Sequence, residues 1–172
     1  MKKILPAITV LFFINSFAQT PGYPFPQHTI YAAGSIKPNN YTQTQLDQQV
    51  KDYYDTWKAR YIVQGCDTAQ YYIWYNDLGY DGNDICVSEG QGYGIVITAL
   101  MAGYDANAKQ YFDGLYRWYK ANPSTVNPVL MNWRQTKKNC ASNGTDAATD
   151  GDEDIAFGLL LADKQWDRKS VV

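Results

Sequence analysis

Three glycines in alternate positions restrict this chain more than any other feature. In Ser88-Glu89-Gly90-Gln91-Gly92-Tyr93-Gly94 they stand just ahead of the apolar run Ile95-Val96-Ile97-Thr98-Ala99-Leu100-Met101. Ser88 reads as an N-cap and Gln91, three residues on, completes capping-box spacing, so the stretch reads as the start of a helix. Glycine inside a helix costs about 1 kcal/mol relative to alanine. A helix that takes three of them in two turns is one that something approaches closely at the backbone, either a neighbouring helix or a ligand. Glu89 falls in the first turn, at the positive end of the helix dipole.

A second acidic helix start lies sixty residues on, in Ala148-Thr149-Asp150-Gly151-Asp152-Glu153-Asp154-Ile155-Ala156. Thr149 reads as its cap, acids fill its first turn, and Ile155, Leu159, Ala162 and Trp166 follow at helical spacing. Acids in a first turn ordinarily just complement the dipole, and Asp154 is read that way. Two such mouths also allow an acid from each to face the other across a cleft. An EF-hand reading of the second stretch fails in both frames. From Asp146 the third position is Ala148, and from Asp150 the sixth is Ile155.

These two stretches carry a resemblance. Residues 88–94 look like the general-acid segment of the family 8 glycoside hydrolases. Residues 148–166 (ATDGDEDIAFGLLLADKQW) resemble that family's signature, departing from it at Gly158, where the family usually has Ser or Ala. The resemblance covers most of the chain from Tyr41 to Trp166. It implies an all-α fold, the six-hairpin (α/α)6 barrel, with a cleft built from loops at one end. It also implies hydrolysis of a β-1,4-linked polysaccharide such as cellulose, mixed β-glucan, xylan or chitosan, with inversion. Glu89 matches the general acid. Asp150 matches the signature aspartate, which holds the sugar at the cleavage point and is sometimes assigned as nucleophile or base. In much of the family the base lies further along the chain than residue 172. The alternative class is a sugar-binding fragment without a complete acid/base pair.

The rest of the chain supplies the setting. Residues 1–18 read as a secretory signal, with Lys2 and Lys3 ahead of an apolar run and Ser16-Phe17-Ala18 at the cleavage position. A secreted or periplasmic product follows, with no membrane attachment after cleavage. A net charge of −2 gives no basic excess, which argues against nucleic acid as a partner. Fifteen Tyr and five Trp suit a surface that stacks on the C–H faces of sugar rings. Trp133, in Leu130-Met131-Asn132-Trp133, resembles such a platform. Tyr93 and Trp74 are further platform candidates that core packing explains equally well, and Arg134 is a candidate partner for a cleft acid. No cofactor is implied. With one histidine and no C-x-x-C, a zinc site is not expected. Of Cys66, Cys86 and Cys140, an odd count for an exported chain, Cys66 and Cys86 are one pairing the sequence allows.

Between these features, residues 19–40 read as an extended lead-in with four prolines. A helix is expected from Thr44 to near Gly65, with the stripe Leu46, Val50, Tyr53, Tyr54, Trp57 and Tyr61. A short strand-like segment follows at 71–75, then a turn-rich loop at 76–84. The Glu89 helix should end near Ala102 with Gly103 as C-cap. A third helix is expected at 108–121, stopped by Pro123. Residues 130–134 read as a short strand or loop and residues 139–145 as loop. Twelve helices with their connections need about 200 residues or more, against roughly 150 after signal removal. The chain therefore reads as the N-terminal portion of a barrel, 41–172, from a truncated product or partial sequence. Unpartnered stripes such as Tyr53, Trp57 and Tyr61, or Leu115 and Trp118, would then face water in part and promote association.

Overall fold

The computed structural model describes residues 19–75, 84–136 and 146–167. The expected signal region, most of the 76–84 loop, the 139–145 loop and Cys140 lie outside them. The described residues form four α-helices and four short strands: α1 (Gln43–Tyr61), β1 (Ile62–Gln64), β2 (Tyr71–Ile73), β3 (Asp84–Val87), α2 (Ser88–Leu100), α3 (Ala108–Ala121), β4 (Arg134–Thr136) and α4 (Thr149–Trp166). No helix among the described residues is long and apolar enough to cross a membrane.

Helix α2 is the centre of the packing. It lies against α3 and α4 and turns Gln91, Gly92, Gly94, Ile95, Thr98 and Ala99 inward. α3 has the amphipathic pattern read from its sequence, with Phe112, Leu115, Trp118 and Tyr119 all buried. Leu115 and Trp118 therefore do not face water, contrary to expectation. Phe112 packs against Trp166 with the rings tilted and their centroids 5.4 Å apart, which ties α3 to the end of α4. The lead-in segment has no regular structure, as its prolines imply, and it straps the lower ends of α2 and α4. Gly22 N–H donates to Gln165 O at 2.7 Å, and Phe25 N–H donates to Ala102 O at 2.7 Å. The Gln165 amide donates to both Tyr23 O and Ala99 O. Past the end of α2, Gly103 adopts a positive φ of 95°, the conformation glycine tolerates best.

Helix α1 starts one residue earlier than expected and is closed by a true capping box between Thr42 and Gln45. It stops at Tyr61 and does not reach Gly65. Ile62 and Val63 are β-branched and enter β1, which pairs antiparallel with β2 in the register Ile62↔Ile73. β3 pairs antiparallel with β4 across a bulge between Asp84 and Cys86. Asp84, read as part of a loop, is 1% exposed within that strand pair. Cys86 is free and fully buried while Cys66 is disulfide-bonded, so these two are not bridged. Burial pushes the Cys86 thiol up to about 12, against the opposing effects of Trp118 and the Ile73 backbone.

The stripe of α1 is only half used. Tyr54 is buried, whereas Val50 is 45% and Tyr53 76% exposed. With Ile97 and Leu100 of α2 and Met101 just past it, they line an apolar groove of about 570 Å³. A polar clasp holds α1 instead. Asp105, just past α2, accepts from Tyr54 Oη at 2.7 Å, Lys58 Nζ at 2.8 Å and Asn107 N–H at 2.8 Å. Burial pushes the Asp105 carboxyl upward, but Lys58, Tyr54 and the Asn107 amide outweigh it and hold the group below the usual carboxylate range. A carboxyl depressed on folding stabilises fully above its unfolded value, about 3.9, and the contribution fades as pH falls through the folded value. Asp105→Asn is expected to cost about 1–3 kcal/mol at neutral pH. Urea midpoints from pH 6 to 2 check this, since the variant should lose less stability than the parent as pH falls below about 4.

Candidate functional site

Helices α2 and α4 run parallel and nearly touch. A Cβ on Gly151 would lie 2.5 Å from Ser88 Oγ and 2.7 Å from Glu89 N. One on Gly92 would lie 2.6 Å from Asp154 Cβ, and one on Gly158 2.4 Å from Ile95 Cγ2. Further down, the Gln165 amide reaches Ala99 O. The pairs advance in the same direction along both helices, so the two N-termini open side by side. The close approach read from the glycines is therefore made by α4 at Gly92 and by Ile73 of β2 at Gly94, where an added Cβ would lie 2.4 Å from Ile73 Cγ1, while Gly90 has only ordinary contacts. Gly158, the departure from the family signature, stands at one of these contacts. Glu89 and Asp150 consequently share one end of one helix pair and do not sit on opposite sides of a gap.

Neither helix starts as its cap residues suggested. Val87 is the N-cap of α2 and Ala148 that of α4, and neither makes a side-chain cap. Ser88 is instead the first helical residue, and its N–H donates to Trp133 O at 2.9 Å. Gln91 is fully buried and ties three elements together. Its Oε1 accepts from Ile73 N–H at 3.0 Å and from the Cys86 thiol at 3.4 Å, and its Nε2 donates to Tyr71 O and Leu115 O. That net holds the Glu89 turn against β2 and α3. Nothing local marks it beyond a polar residue between two glycines.

At the mouth, Glu89 and Asp150 are exposed and Tyr93 is 48% exposed. Tyr93 Oη donates to Glu89 Oε1 at 2.8 Å. Burial, then the charges of Asp150, Glu89 and Glu153, push the Asp154 carboxyl upward. Asp154 thus belongs electrostatically to the acid cluster, and it lies beyond the first turn where a dipole complement would sit. Asp152 points the other way along α4. Its Oδ1 accepts from Met131 N–H at 2.9 Å, and burial pushes its carboxyl upward.

The Met131–Arg134 segment joins the two mouths. Trp133 takes the Ser88 N–H at its carbonyl and gives its own N–H to Asp146 O at 3.0 Å. Its half-buried ring is covered on one side by the Arg134 guanidinium, 4.9 Å from the ring centroid. Arg134 also pairs with Asp84 Oδ2 at 3.4 Å, a buried partner that the sequence reading missed, since nothing in its neighbourhood marks it out. Trp74 is placed with α1, its ring stacked on Tyr61 at 6.1 Å.

Several carboxylates at one mouth, with aromatic rings beside them, suit acid–base chemistry on a polyhydroxyl substrate. The sequence model of the glycosyl hydrolases family 8 matches residues 24–171, and the chain belongs to that family. It is 52% identical over 152 residues to a beta-glucanase of Niallia circulans, covering 88% of this chain and 36% of that protein. It is 45% identical over 147 residues to an endoglucanase of Bacillus sp. strain KSM-330, covering 83% and 32%. Among solved structures it is similar to the apo beta-1,3-1,4-glucanase from Paenibacillus sp. X4, with a TM-score of 0.79 and 51% identity over 88% of this chain and 39% of that one. The chain spans about a third of the length of these curated relatives. Its helices form part of the family's (α/α)6 barrel.

Proposed function

We propose that this chain supplies the general-acid side of an active site in a secreted, endo-acting glycoside hydrolase that cleaves β-1,4 linkages of a β-glucan, such as cellulose or a mixed-linkage glucan, with inversion. The observation that carries the reading is the Gly151–Glu89 backbone contact, which brings the mouths of α2 and α4 together with Glu89 and Asp150 on them. The beta-glucanase and endoglucanase names of the similar proteins support the substrate class. The apolar run behind Lys2 and Lys3 supports export, and N-terminal sequencing of the mature protein tests it.

In this reading a protonated Glu89 donates to the leaving glycosidic oxygen, while a base activates water on the far face of the sugar. Asp150 accepts from the hydroxyls of the sugar at the cleavage point. Trp133 offers its ring as a platform. In the full-length protein, Asp150→Asn should lower kcat/KM on barley β-glucan by about 10–100-fold, the value of a charged hydrogen bond. Asp154→Asn should cost much less. Equal losses would remove Asp150 from the subsite. Reducing-sugar release on β-glucan, xylan and chitosan tests the activity itself. Retardation in a β-glucan affinity gel with no sugar released would leave a binding module in its place.

A further inference from the structure

Tyr93 is a platform candidate in the sequence that core packing explains equally well, but its position relative to Glu89 gives it another role. The two residues are four apart on α2 and so lie on one helix face. The Tyr93 hydroxyl donates to Glu89 Oε1 at 2.8 Å, and its ring is half exposed at the same mouth. We propose that Tyr93 is the positioning residue for the Glu89 carboxyl, holding Oε1 through its hydroxyl so that Oε2 carries the proton delivered to the substrate. This rests on the assignment of Glu89 as general acid.

An exposed glutamate is free to rotate about its side-chain bonds, and a general acid must present its proton in one direction. The Tyr93 hydrogen bond removes that freedom from the side away from the reacting oxygen. Its contribution grows during the reaction. As the proton leaves Oε2, Glu89 becomes a carboxylate and the Tyr93 bond becomes charge-assisted. The new charge arises beside Asp150 and Asp154 of α4, both acidic, so a donor there counts for most at the transition state. Tyr93 keeps its proton for this purpose. The hydrogen bond to Glu89 and the Glu89 charge, with smaller effects of burial, Asp154 and Asp150, push its phenol above the usual tyrosine range. An interaction that strengthens towards the transition state acts on kcat more than on KM.

Tyr93→Phe keeps the ring and removes the hydroxyl. In the full-length protein it should lower kcat on β-glucan about 10-fold, with KM within about 2-fold. A spectroscopic readout needs no turnover. The chain has two glutamates, Glu89 and Glu153. With carboxyl-13C glutamate incorporated in the full-length protein, Tyr93→Phe should move the Glu89 resonance and leave that of Glu153 in place, with Glu89→Gln and Glu153→Gln giving the two assignments. Unchanged kcat, or an unmoved Glu89 resonance, overturns the proposal. So does a rise in KM for Tyr93→Ala with a normal Tyr93→Phe, which would make the ring a platform. If Glu89→Gln is itself fully active, the general-acid reading fails and this role fails with it. If Glu89→Gln is inactive and Tyr93→Phe is normal, only the positioning role is lost.

Discussion

Glu89→Gln in the full-length protein is expected to lower kcat on native β-glucan by roughly 10²–10⁴ and to leave substrate binding nearly unchanged, because the amide keeps the shape of the carboxyl and loses its proton. The position of Glu89 supports this expectation. It is exposed at the mouth of α2, its turn is fixed from behind by the buried Gln91 net, and one of its oxygens is held by Tyr93. An aryl β-glucoside chain with a dinitrophenolate leaving group needs no proton at departure. Its hydrolysis by Glu89→Gln should therefore recover a large part of the lost rate. Affinity measured separately, by calorimetry with a cello-oligosaccharide, keeps the binding and chemical steps apart. Undiminished turnover of the native glucan by this variant would remove Glu89 from the chemistry.

Gly151→Ala is expected to destabilise the helix pair and to displace Glu89 with a single methyl group. The added Cβ would lie 2.5 Å from Ser88 Oγ, 2.6 Å from Ser88 C and 2.7 Å from Glu89 N. Two of these atoms are backbone in the first turn of α2, so no rotamer change relieves the clash and the helices must separate. Overpacking of this kind costs about 1–3 kcal/mol and occasionally more. The displacement falls on Glu89 itself, and a 1 Å misplacement is enough to cost about 10²-fold in rate. Gly90→Ala is the control. Its Cβ would meet Ile73 Cγ2 at 3.7 Å and Val87 Cγ2 at 3.8 Å, ordinary contacts. The better helix propensity of alanine should then raise stability by up to about 1 kcal/mol. Urea denaturation of both variants checks the contrast. Equal midpoints would mean that α2 and α4 are not in contact in solution.

These two variants also mark how far the sequence could be read. Both acidic helix starts, the amphipathic α3 and its end before Pro123 were legible, because each depends on residues within one or two turns of one another. The alternating glycines announced a close approach to α2, and the family resemblance named Glu89 and Asp150. Local pattern misled where a distant partner competed for the same group. Ser88 and Gln91 have capping-box spacing, yet Gln91 turns inward, where donors and acceptors from β2, β3 and α3 together offer more than one exposed backbone amide could. Cys66–Cys86 is one pairing the sequence allows, but the place of Cys86 in β3 buries it as a free thiol. Leu115 and Trp118 were expected at a water-facing flank, and packing against α2 and β2 covers them. Asp84 and Arg134, fifty residues apart, find each other through the β3–β4 register.

The sequence by itself determined which segments become helices and which acids stand at their mouths, since propensity, periodicity and charge are properties of neighbouring residues. Only the tertiary structure decided that α2 and α4 lie parallel with Gly92, Gly151 and Gly158 between them. That choice depends on the fit of two surfaces sixty residues apart, and it brings two separate helix starts together as one candidate site.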